Sequence, residues 1–122
     1  MEMHESSEDY LEKILMLQKR LGQVRSIDIV NELGFSKPSV SIAMKKLREN
    51  GYIEMDSENL ITLTAAGATI ARRIYARHKI LTKLLVQLGV SQITAEKDAC
   101  KIEHDISDES FVKIKKFLAS HL

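Results

Sequence analysis

Cysteine, proline and glycine are scarce in this sequence: one, one and five residues in 122. A single cysteine excludes an internal disulfide and fits a reducing, cytoplasmic setting. So few helix breakers leave little room for long loops. No apolar run approaches the roughly 20 residues that a membrane span requires, so no membrane partner is expected. Met1-Glu2-Met3-His4-Glu5 has neither the basic start nor the apolar stretch of a signal peptide. Net charge is only +1, which by itself says nothing about nucleic acid.

Charge is nevertheless unevenly spread. No acid occurs from Asn59 to Ala95, while Arg72, Arg73, Arg77, Lys79 and Lys83 all do. Lys37, Lys45, Lys46 and Arg48 face Glu49 alone between Lys37 and Gly51. The acids collect in Glu2 to Glu12 and Glu96 to Glu109. A basic middle between acidic ends fits one site for an anion and another for a cation.

Hydrophobic periodicity predicts a mainly α chain. Ser6 or Ser7 caps a first helix carrying Tyr10, Leu11, Ile14, Leu15 and Leu17 on one face. Ser26 caps a short second helix closed by Gly34. Ser36 caps a third, with Pro38 in its first turn and Val40, Ala43, Met44 and Leu47 as its apolar stripe. Tyr52 to Met55 and Leu60 to Leu63 suit two short strands around a polar tip, Asp56 to Asn59. Thr64 caps a long helix that Gly89 ends, and Ser91 or Thr94 opens the next. Ser107 caps a last helix bearing Phe111, Ile114, Phe117 and Leu118.

Helix, short helix, turn, helix and hairpin form the order of a winged helix-turn-helix. In that unit the third helix enters the major groove by its N-terminal end. Ser36, Lys37, Pro38, Ser39 and Ser41 make that end small and polar, so it can approach phosphates and base edges. Ile42 faces outward and can touch a thymine methyl. Lys45 and Lys46, with Arg48, neutralise backbone phosphate. The acidic hairpin tip is expected to stay out of the groove.

A second motif lies further on. Cys100, Glu103 and His104 stand at i, i+3 and i+4, one face of one helical turn. Thiolate, carboxylate and imidazole together suit a transition metal better than calcium or magnesium. Three groups do not close a site, but Asp9 and Glu12 share a face of the first helix, and His78 lies on the long one. If those helices converge, the set is Asp9, Glu12, His78, Cys100, Glu103 and His104, open to Fe(II), Mn(II), Co(II) or Zn(II). The plainer alternatives are a lone cysteine serving as a small apolar residue and a solvated Glu–His pair.

Glu8-Asp9-Tyr10-Leu11-Glu12-Lys13-Ile14, Ser36-Lys37-Pro38-Ser39-Val40-Ser41, Gly51-Tyr52-Ile53, Leu63-Thr64-Ala65-Ala66-Gly67, Arg77-His78 and Ile102-Glu103-His104 together resemble the DtxR/MntR family of metal-dependent transcriptional repressors. The resemblance implies a homodimer that binds operator DNA under control of Mn(II) or Fe(II). It implies an N-terminal winged helix-turn-helix with a two-stranded wing over residues 1–63, then a helical metal-binding and dimerisation region over 64–122. It implies the manganese-type, two-domain branch, without the SH3-like third domain of longer members. Asp9, Glu12, His78, Glu103 and His104 match manganese-type ligands. Cys100 stands where those members carry glutamate and resembles the iron type, while Thr82 replaces an iron-type glutamate one turn after His78.

Two other classes compete. A metal-independent winged-helix regulator would answer a small molecule or a protein partner. An enzyme would need a nucleophile–base pair or a glycine-rich phosphate loop, and the sequence offers no convincing example, so no enzymatic activity is expected.

Overall fold

In a computed structural model, residues 3–121 are described. The elements follow in the order α1 (Glu5–Leu21), α2 (Ser26–Leu33), α3 (Lys37–Glu49), β1 (Ile53–Met55), β2 (Ile61–Leu63), α4 (Ala65–Gln87), α5 (Gln92–Ile102) and α6 (Asp108–His121). The chain forms two compact units, Met1–Arg72 and Arg73–Leu122, with α4 continuing from one into the other.

The first unit is a winged helix-turn-helix. Leu11, Ile14 and Leu17 of α1, Val24 of the following loop, Ile29 of α2, Val40, Met44 and Leu47 of α3, and Ile53 and Ile61 of the strands form its core, each almost fully buried. These are the apolar positions of three amphipathic helices and the inward residues of two strands. The strands pair antiparallel, Ile53 with Leu63 and Met55 with Ile61. Ile61 N–H also donates to Val24 C=O at 2.7 Å, tying the wing to the loop after α1. At the tip, Asp56 Oδ1 accepts from the N–H groups of Glu58 and Leu60, both at 2.9 Å. Asn59 there takes a left-handed φ of 62°, which asparagine tolerates.

Local signals set most helix ends. Ser36 Oγ accepts from Ser39 N–H at 3.3 Å, and Pro38 sits in the first turn of α3. Thr64, Ser91 and Ser107 cap α4, α5 and α6 through the N–H groups of Gly67, Thr94 and Ser110. Two starts differ from expectation. α1 begins at Glu5 with His4 as N-cap, so Ser6 and Ser7 lie inside the helix. Acidic Glu5 and Glu8 in the first turn favour this earlier start through the helix dipole. In α2, Arg25 is the N-cap and Ser26 the first helical residue, because Asp28 accepts from Arg25 N–H at 2.8 Å.

The first turns of α4 belong to the winged unit. Thr64 N–H donates to Tyr52 C=O at 3.1 Å, and Thr64 Oγ1 donates to Gly51 C=O at 2.6 Å. Gly67 is buried against the same strand entry, and a Cβ there would lie 2.0 Å from the Tyr52 carbonyl oxygen. Only glycine permits this approach.

In the second unit, α4 turns at Gly89, whose φ of 100° favours glycine. Ile74, Leu81, Ala95, Ala99 and Leu118 are its buried apolar residues. Arg77, one of the basic residues of the acid-free stretch, is 4% exposed. Leu88, Ile93 and Phe117 remain well exposed.

Gly67→Ala is expected to destabilise the protein by about 1–3 kcal/mol, the usual cost of forcing an extra carbon into a packed site. Urea unfolding checks this, and a variant as stable as the parent contradicts the close approach.

Candidate metal centre and nucleic-acid face

The second unit brings three donors together. His78 projects from α4, Cys100 from the last turn of α5, and Glu103 from the position just after it. Their Nδ1, Sγ and carboxylate oxygen lie within 4.8 Å of one another. His78 Nδ1 is 2.9 Å from Glu103 Oε2 and 3.7 Å from Cys100 Sγ. Glu103 is fully buried, and its other oxygen, Oε1, lies 3.5 Å from His104 Nε2.

α5 stops at Ile102 rather than running through the whole motif. Glu103 still keeps helical dihedrals, φ −59° and ψ −25°, and donates its N–H to Ala99 C=O at 2.9 Å. That preserves the i, i+3 relation to Cys100. His104 stands in the turn beyond, with its side chain 2% exposed.

The electrostatics of this cluster centre on one nitrogen. Hydrogen bonding to Cys100, then to Glu103, raises His78 to about 10 against the opposing effect of burial. The imidazole therefore carries a proton at neutral pH in the metal-free protein. Its contribution to stability is complete below the ordinary histidine value near 6.5 and is lost as pH rises through about 10.

The donors fit a divalent transition ion. Imidazole nitrogen, thiolate and carboxylate are all ligands of that class. Glu103 Oε1 is buried and accepts no hydrogen bond among the described residues, so a lone pair is available to a cation. Asp9 and Glu12 stand in the other unit on α1, half-buried and fully buried respectively.

α3 supplies the other face. Its buried stripe, Val40, Met44 and Leu47, turns Ser36, Lys37, Pro38, Ser39, Ser41, Ile42, Lys45 and Lys46 outward, all of them exposed. Ile42 is 58% exposed, unusual for an isoleucine with no partner surface. The hydroxyl of Ser36 donates to that of Ser39 at 2.8 Å. A groove of about 730 Å³ flanks α3 on one side, with Ser6, Ser7, Ser39, Ile42, Lys46 and Asn50 among its lining. Ser26, Ser41, Lys45 and Arg48 help line a smaller cleft. Ser6 and Ser7 were legible only as helix caps, because their place beside α3 depends on tertiary packing.

Residues 2–59 match the model of the iron dependent repressor N-terminal DNA binding domain, and residues 64–121 match that of the iron dependent repressor metal binding and dimerisation domain. The chain belongs to the iron dependent repressor family, the DtxR/MntR group. It is 36% identical over 114 residues to the transcriptional regulator MntR of Escherichia coli O6:H1, covering 93% of this chain and 74% of that protein. It is 35% identical to an uncharacterized HTH-type transcriptional regulator of Methanocaldococcus jannaschii, covering 95% of this chain and 94% of the relative. A manganese-dependent transcriptional repressor solved in complex with manganese superposes with a TM-score of 0.82 at 28% identity, covering 92% of this chain and 52% of that one. The chain spans about half the length of this and most other solved chains it matches. Metal-dependent regulation of transcription is the class to which the family belongs.

Because His78 Nδ1 must shed its proton to ligate, metal uptake at pH 7 is expected to release at least one proton per ion, with affinity rising toward pH 10. Calorimetric Mn(II) titrations in buffers of different ionisation enthalpy measure this. Uptake without proton release contradicts ligation by His78.

Proposed function

We propose that this protein is a metal-dependent transcriptional repressor that binds operator DNA as a homodimer, with Mn(II) or Fe(II) as its effector. The observation that carries the proposal is the convergence of His78, Cys100 and Glu103 within 4.8 Å, in a chain whose other unit is a winged helix-turn-helix. In this reading His104, Asp9 and Glu12 complete the donor set. The i, i+3 spacing of Asp9 and Glu12 on α1 supports them, as does their match to the family pattern. A bound divalent ion would supply positive charge that offsets the carboxylates and favours the DNA-competent state. Coupling of this kind is typically about 1–3 kcal/mol, roughly 5–150-fold in affinity.

Each part of the chain has its own task. Residues 1–63 read DNA, and residues 64–122 hold metal and form the dimer. The small, polar start of α3 lets Ser36, Lys37, Pro38, Ser39 and Ser41 approach the major groove, with Ile42 against a thymine methyl. Lys45 and Lys46 neutralise phosphate. Exposed Leu88, Ile93 and Phe117 supply apolar area for a partner copy. A two-fold dimer suits half-sites about one helical turn apart, roughly 34–36 Å. The protein acts by binding, not by catalysis, and works in the cytoplasm. Among the described residues no helix is long and apolar enough to cross a membrane.

Mobility shifts with operator-containing DNA test the proposal. Mn(II) or Fe(II) is expected to tighten binding and EDTA to reverse it, and His104→Ala is expected to abolish the metal response while remaining folded. Binding indifferent to EDTA contradicts metal control and favours a metal-independent regulator. Lys46→Ala is expected to weaken all DNA sequences about equally and to lower the salt dependence by about one phosphate contact. An effect confined to one operator contradicts a phosphate role.

A further inference from the structure

Arg77 precedes His78 on α4 and is almost completely buried, an uncommon place for a guanidinium. Its Nη1 donates to Glu103 C=O at 3.2 Å and to Ile106 C=O at 2.5 Å. Its Nη2 pairs with Asp108, the first residue of α6, and its charge lies 5.5 Å from the centre of the Phe111 ring. The two carbonyls belong to the segment where α5 has ended and α6 has not begun, so they lack helical donors. One planar fork therefore closes the turn that presents Glu103 and His104.

The geometry points to Arg77 as a positioning residue for the metal centre, fixing the Glu103–Asp108 turn so that the Glu103 carboxylate meets His78. This inference rests on the metal-binding role proposed above. Adjacent residues of α4 divide the work: His78 offers a donor atom, and Arg77 anchors the backbone that carries the neighbouring donors. Arg77 acts through Glu103 and His104. Groups that hold ligands in place this way commonly matter 10–100-fold for affinity. Lysine cannot replace the fork, since it has no planar set of donors to span two carbonyls and a carboxylate.

Co(II) titration followed by absorbance, on the full chain, tests the assignment. Arg77→Met is expected to keep the thiolate-to-cobalt band, since Cys100 and His78 are untouched, but to bind Co(II) about 10–100-fold more weakly. Arg77→Lys is expected not to rescue it. In the metal-free proteins, hydrogen exchange at the Asp105 and Ile106 amides is expected to accelerate in Arg77→Met, with the core of α1 unchanged. Asp108→Asn alters an exposed side chain, keeps the fold, and is expected to show a smaller loss and a smaller acceleration. It decides the matter if Arg77→Met does not fold. Wild-type affinity and exchange in Arg77→Met, or in Asp108→Asn where that variant decides, overturn the positioning role alone, as does full rescue by lysine. A parent protein that takes up no Co(II) overturns the metal reading and this inference with it.

Discussion

A carboxylate taken out of water must find positive charge or hydrogen-bond donors close by. Glu103 is fully buried, with His78 Nδ1 at 2.9 Å from one oxygen and His104 Nε2 at 3.5 Å from the other. Three elements of the second unit meet at this group. α4 brings the imidazole, α5 brings Cys100 and the backbone of Glu103, and the turn toward α6 brings His104. Hydrogen bonds to Cys100 and Glu103 raise His78 to about 10, so the proton it carries supplies the positive charge beside Glu103.

The winged unit solves a different problem. Its helices bury one stripe each and leave the opposite face of α3 with hydroxyls, lysines and an exposed isoleucine. That face gains its precision from rigid surroundings: the wing is hydrogen-bonded to the loop after α1, and the start of α4 is fastened to Tyr52 and Gly51. Gly67 allows the last contact because no side chain intrudes.

Much of this was legible in the sequence because it is written locally. Caps at Ser36, Thr64 and Ser107, glycine at 34 and 89, and the Val40–Met44–Leu47 stripe depend on neighbours within one turn, and the structure has them as expected; of the two candidates for α5, Ser91 and Thr94, it is Ser91 that caps. The strands are each one residue shorter than their apolar runs. His4 rather than Ser6 or Ser7 stands at the start of α1, with Glu5 and Glu8 in the first turn. The end of α5 inside the Cys100–His104 motif was not visible, and neither was the hydrogen bond that Arg77 makes to the Glu103 carbonyl from 26 residues away. Arg77 itself resembled any arginine in an acid-free helix. Its adjacency to His78 and the acid at Asp108 were the only signals, and neither fixes a contact across that distance.

The donor set proposed for the ion is Cys100, His78 and carboxylate oxygen. X-ray absorption on the Zn(II)-loaded protein counts them directly. One sulfur at about 2.3 Å together with nitrogen and oxygen at about 2.0–2.2 Å is the result expected for Cys100, His78 and carboxylate ligation. A shell of oxygen alone, with no sulfur and no imidazole scattering, would contradict the account.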